Sequence, residues 1–155
     1  MATVDTILVD TANYLQTLNA SVTGVASAPQ LSQYPTAIDT PNCPTVISWP
    51  ADGQWYIKGG AARQMVRTWR VICYIEPIAQ NDTPSNAEAA LGLMQRLINA
   101  YISVSNVSQA NPPPYQVTIE SGPDMQHSDG GLGTNMFGGK PFVAFELRVH
   151  VRALW

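Results

Sequence analysis

Apolar residues recur along this chain with two different periods. Val4, Ile7, Leu8, Thr11, Leu15 and Leu18 follow one another at steps of three and four, which lines one face of an α-helix. A helix is therefore predicted up to about Asn19, with Thr3 as N-cap and Asp5 in its first turn, where the helix dipole favours an acid. Ala87, Ala90, Leu91, Met94, Leu97, Ile98, Tyr101 and Ile102 repeat the pattern and predict a second amphipathic helix. Thr83 or Ser85 can cap it, Pro84 suits its first turn, and Ser85 with Glu88 has capping-box spacing.

Elsewhere the period is two, the signature of a half-buried strand. In "FVAFELRVHVRALW" Val143, Phe145, Leu147, Val149 and Val151 share one face, and Glu146, Arg148, His150 and Arg152 share the other. "MVRTWRVICYIEP" places Trp69, Val71, Cys73 and Ile75 opposite Thr68, Arg70, Ile72, Tyr74 and Glu76, and stops at Pro77. It reads as a long central strand. "YQVTIES" reads as a shorter one, with Tyr115, Val117 and Ile119 inward. "TVISWPADGQWYIK" reads as a hairpin, because Asp52-Gly53 accepts the positive φ angles of a tight type I′ turn; Gly59-Gly60 ends its second strand.

Two stretches follow neither period. Residues 20–44 hold four prolines among Ser, Thr and Ala, too broken for regular structure of any length. Residues 121–141 hold six of the eleven glycines, a composition suited to a flexible hairpin tip or to an arm that orders on a partner. The order of elements is helix, hairpin, strand, helix, strand, strand. Its economical packing is an α+β fold over residues 1–155 as a single domain, with a mostly antiparallel sheet, two helices on one face and a long Gly-rich hairpin loop.

Composition narrows the function. Only 12% of residues are charged, against about 25% in ordinary soluble domains, so much of the surface is either solvated by uncharged polar groups or covered in an assembly. A net charge of -3 with eight scattered Lys and Arg lacks the clustered positive charge on which nucleic-acid binding feeds. No apolar run is long enough for a membrane span and no leader pattern is visible, so the expectation is a chain that is soluble and cytosolic where it is made. Cys43 and Cys73 lack zinc-site spacing, and neither is assigned a role.

Enzyme motifs do not emerge. Lys140 ends a glycine-rich run, but Thr134 stands where a P-loop needs glycine, Pro141 where it needs Ser or Thr, and a strand follows instead of a helix. Asp124, His127 and Asp129 could gather around a divalent metal, though with few ligands and no evident supporting shell. His150, between Arg148 and Arg152 on a strand face, reads as a hydrogen-bonding surface group. No catalytic residue, metal or cofactor is assigned. One feature stands out: Val66, Arg70, Ile72, Tyr74, Phe142, Ala144, Arg148 and Arg152 share the sheet face away from the predicted helices. That mixture suits a protein–protein interface, or else a cluster lying beneath the proline-rich loop.

Together, "YPTAIDTPNCPTVISWP", "GQWYIKGGAARQMVRTWRVICYIEP", "LGLMQRLINAYI", "YQVTIESGP" and "FVAFELRVHV" resemble the tail terminator and tail-completion proteins of long-tailed bacteriophages. In that family an N-terminal helix leads through a proline-punctuated segment to a hairpin, a second helix packs on the sheet, and a glycine-containing loop joins the closing strands. The resemblance is one of order and pattern over nearly the whole chain. It implies a structural, non-enzymatic virion protein, assembled in the host cytoplasm, whose six-membered ring caps the tail tube and meets a head-completion or connector protein. DNA would pass through the lumen without being held, and no membrane is involved. On this reading Arg70, Ile72, Tyr74, Phe142, Glu146, Arg148, His150 and Arg152 are candidates for the subunit boundary or lumen. Gly130, Gly131, Met136, Phe137 and Lys140 belong to the arm that would order on a neighbour, the tube or the connector. The alternatives are a head-closure or adaptor neck protein, a minor tail protein, or, from another class, a small ligand- or metal-binding module built on Asp124, His127 and Asp129.

Overall fold

A computed structural model describes residues 4–57, 63–79, 83–103, 116–119, 124–125 and 132–154. Helices α1 (Val4–Ala20) and α2 (Ala87–Ser103) accompany strands β1 (Thr45–Ile57), β2 (Arg63–Pro77), β3 (Gln116–Ile119), β4 (Asp124–Met125), β5 (Gly133–Phe137) and β6 (Lys140–Leu154). Every strand pairing is antiparallel, in the order β1-β2-β6-β3, with β4 and β5 also on β6. The fold is α+β and mostly sheet.

The two long alternating runs form the centre, β2 and β6 pairing from Gln64↔Leu154 to Pro77↔Phe142. The expected hairpin at Asp52-Gly53 does not form. Thr45–Ile57 is one strand, because both flanks of that dipeptide pair with β2, and the register merely shifts between Pro50 and Gly53. Pro50 cannot donate to a ladder, so an irregularity on an outer strand suits it. Gly53 serves close approach: a Cβ there would meet Arg67 Cζ at 2.9 Å, and Arg67 Nη1 donates to the Ala51 carbonyl at 2.8 Å. The β1–β2 turn, with Gly59 and Gly60, lies outside the described residues.

Along the far edge of β6, β3, β4 and β5 follow one another opposite residues 151–154, 147–148 and 140–144. Part of the expected arm is thus ordinary sheet. Gly138 and Gly139, both at positive φ (56° and 78°), make the two-residue turn from β5 to β6 that a right-twisted hairpin requires. The remainder of the arm, 121–123 and 126–131 with Gly130 and Gly131, lies outside the described residues.

Both helices lie on one face of the sheet. Ile7, Ala12 and Leu15 of α1, and Leu93, Leu97 and Tyr101 of α2, form one buried cluster with Trp69, Val71, Cys73, Phe145, Leu147, Val149 and Val151. Burying each large side chain contributes roughly 1.5–3 kcal/mol. The buried stripe of α2 runs through Ala90, Leu93, Leu97 and Tyr101; Leu91 and Ile102, predicted to face inward, are exposed. The cap also differs. Asn86 Oδ1 accepts the Ala89 N–H at 3.0 Å, while Ser85 is drawn away, its Oγ donating to Glu76 Oε2 at 2.6 Å.

Inside the apolar layer sits a fully buried polar knot. Tyr101 Oη donates to Asn19 Oδ1 at 2.7 Å, and Asn19 Nδ2 donates to Gln16 Oε1 at 2.9 Å and Ser48 Oγ at 3.0 Å. Gln16 Nε2 then donates to the carbonyls of Pro29 (2.7 Å) and Val46 (2.9 Å). α1, α2, β1 and the proline-rich segment are tied at one point, with each amide matched to partners, as burial demands.

Candidate functional site

The sheet face away from the helices carries the predicted interface residues, and the structure divides it into two parts. Nearest the β5–β6 turn, Ile47, Ile72, Tyr74, Phe142 and Ala144 are buried beneath Ile38, with Tyr34, Cys43 and Phe137 packed around them. The Phe137 and Phe142 rings meet Tyr74 edge-on at 5.1 Å and 5.7 Å, a favourable geometry for aromatic pairs. Ile72, Tyr74 and Phe142 are therefore not boundary residues: at 0–3% exposure they have no area left to give a neighbour. The proline-rich segment covers them.

That segment is fixed by specific bonds. Ala26 and Ser27 N–H groups donate to the Pro44 carbonyl, and Val46 N–H donates to Ser27, which closes the start of the outer edge of β1. Tyr34 Oη donates to the Ser48 carbonyl at 2.7 Å. Burial, partly opposed by that bond, pushes the Tyr34 phenol up to about 12; Tyr74 is likewise pushed to about 12, chiefly by burial.

The other part of the face is open. Arg70 stands directly opposite Arg148, Thr68 opposite His150, and Val66 opposite Arg152; Trp49 pairs with Arg70 from the other side. Arg70 Nε donates to Glu146 Oε1, which raises the guanidinium pKa above its ordinary value. Thr68 Oγ1 and His150 Nδ1 lie 3.1 Å apart, as expected of a surface hydrogen-bonding histidine. Arg148 Nε is buried without a hydrogen-bond partner, and on the other side of β6 the residue directly opposite Arg148 is Asp124. Arg70 and Arg148 face each other across the strands, so with Arg152 this region holds more arginines than acids, even counting Glu146 and Asp124. Five of the eight boundary candidates meet here: Arg70, Glu146, Arg148, His150 and Arg152.

Three arm candidates are also placed. Phe137 packs on Tyr74, so it belongs to the subunit's own interior, whereas Met136 and Lys140 are exposed. His127 and Asp129 lie outside the described residues. Among the described residues no group of three or more His, Cys, Asp or Glu is placed to hold a metal. No described helix is long and apolar enough to cross a membrane.

Sequence reasoning missed the other notable surface features. Trp49 is 40% exposed, its ring edge-on to Tyr34 at 4.9 Å. Its alternation with Ile47 would have placed it beside Arg70 had β1 been read as one strand. On the outer side of the helices Val9, Leu91 and Ile102 are 43%, 51% and 62% exposed. The signal was the width of the α2 pattern, which holds more apolar residues than one buried stripe can use. Arg96 is held toward the start of the proline-rich segment, its Nε donating to the Thr23 carbonyl at 2.7 Å.

A cavity of about 310 Å³ opens between the start of α2 and the end of β2, lined by Cys43, Ile75, Glu76, Ser85, Leu93 and Arg96 among others. Glu76 and Arg96 are committed to Ser85 and Thr23, and burial pushes the Cys43 thiol pKa up, which disfavours the reactive thiolate. No protein-family model matches this chain, and no curated protein matches it.

Proposed function

We propose that this chain is a structural virion protein that caps the tail tube of a long-tailed bacteriophage as a ring, likened by its order of elements to a tail terminator. One observation carries the reading furthest: large side chains are exposed on both sides of the sandwich, Trp49 on the sheet side and Val9, Leu91 and Ile102 on the helix side. Two such surfaces on one small subunit suit a closed head-to-tail assembly, in which each subunit uses both. The low charge content fits the same picture, as charged residues are depleted at the centre of interfaces. The ring would have six members, its lumen would pass DNA without gripping it, and its two rims would meet the tube protein and a head-completion or connector protein.

The test is assembly on tubes. Purified protein added to tail tubes should give rings of six copies at one tube end by electron microscopy and native mass measurement, and should stop further elongation. Tubes that keep growing, with no ring at either end, would refute the proposal.

A further inference from the structure

We infer that the open sheet face of one copy, centred on Trp49, Arg70 and Arg148, docks on the outer face of helices α1 and α2 of the next copy. This contact rests on the ring reading and specifies which surfaces form its subunit boundary. The argument begins with charge. The open face carries Arg70, Arg148 and Arg152, with Glu146 on the same face and Asp124 directly opposite Arg148 in the register of β4 and β6. Even with both acids counted it remains net positive. Among the described side chains the helices carry Asp10 and Glu88 against a single cation, Arg96. The helix layer is net negative. Two sheet faces set together would oppose arginine to arginine, and two helix layers would oppose acid to acid; only sheet against helix brings unlike charges together.

Apolar surface points the same way. Trp49 offers the aromatic anchor typical of interface centres, beside arginines. Leu91 and Ile102 lie on one outward stripe of α2 with Glu88, Gln95 and Asn99, and Gln95 Nε2 donates to Asn99 Oδ1 at 2.9 Å. The two amides thus satisfy each other and leave an aliphatic stripe whose one charged residue is Glu88, suited to receive an indole beside arginines. Because the two surfaces lie on opposite sides of the sandwich, each subunit can use both at once, and the contact propagates from copy to copy.

A mixing experiment tests it. Leu91→Asp disables the helix side at an exposed position, and Arg148→Glu disables the sheet side; Trp49→Ser is a second sheet-side variant if Arg148→Glu melts early. Wild-type protein should associate at high concentration or on tube ends, more weakly as salt rises. Each variant alone should lose every species larger than a monomer. An equimolar mixture of one helix-side and one sheet-side variant should give a dimer and nothing larger, because only one intact interface can form. Variants that assemble like wild type, or a mixture that stays monomeric while wild type assembles, would overturn the contact and leave the ring standing. Wild-type protein that associates neither in solution nor on tubes would overturn both.

Discussion

Tyr74 shows how much depends on which part of a sheet face a residue occupies. Its neighbours in sequence, Arg70 and Ile72, made the face look like a boundary, yet the ring is enclosed by Phe137, Phe142 and the proline-rich segment. Tyr74→Asp should therefore lower the melting temperature sharply, with a loss of about 3 kcal/mol or more, since it would bury a carboxylate without a partner. Tyr74→Phe, which keeps the ring contacts, should cost far less. Alkali offers a second check. Tyr34 and Tyr74 ordinarily ionise near 10.0 and are held up to about 12 in the fold. The unfolded chain then loses these protons first, so stability is full below pH 10 and falls as pH rises from about 10 to 12. Denaturant melts across that window should show the decline, and Tyr34→Phe should reduce it while costing about 1 kcal/mol at neutral pH through the lost bond to Ser48.

Elements were legible where one period ran long enough to leave no alternative. Both helices and the β2 and β6 strands follow from their spacing. The error at Asp52-Gly53 arose because a turn-forming dipeptide has the same local chemistry in a bulge; only the continued pairing of residues 53–57 with β2 distinguishes the two. Of the short strands, β3 lies within the alternating run "YQVTIES", whereas β4 and β5 follow no period of their own and pair along the edge of β6. At the start of α2, Thr83, Ser85 and Asn86 are all good caps, and the choice is made by Glu76, which holds Ser85 from a distant strand. Asn86→Ala should accordingly cost about 1 kcal/mol, read by chemical denaturation, and Glu88→Ala much less. At the β5–β6 turn, Gly138→Ala should destabilise too. Its φ of 56° disfavours any side chain, and the new Cβ would stand 2.7 Å from the Thr36 carbonyl oxygen.

At the scale of the whole molecule, the sheet is covered on one side by helices and on the other by a proline-rich segment over only part of its area. Composition marked that segment as irregular but could not reveal that Tyr34 and Ile38 would seal a second core, because the contacts join residues far apart in sequence. The open remainder was legible only as a mixture of arginine and apolar positions. Removing residues 34–42 should expose Ile72, Tyr74 and Phe142 and give strong binding of a hydrophobic dye at temperatures where the intact chain binds none.

The polar knot of Gln16, Asn19, Ser48 and Tyr101 bears on tolerance in construction. Closing a circle from identical parts repeats any tilt in one part at every joint, so a small misalignment accumulates until the last joint fails to meet the first. In the proposed ring that tilt would be the angle between the helix layer and the sheet. Aliphatic packing alone would let that angle drift, whereas hydrogen bonds joining α1, α2 and β1 at one buried point permit a single setting, a use of buried polar groups known from other assemblies. On that proposal, Asn19→Leu should leave a folded chain whose assemblies, weighed one by one, scatter in copy number and include open arcs. The knot would then act as the gauge that makes every wedge alike.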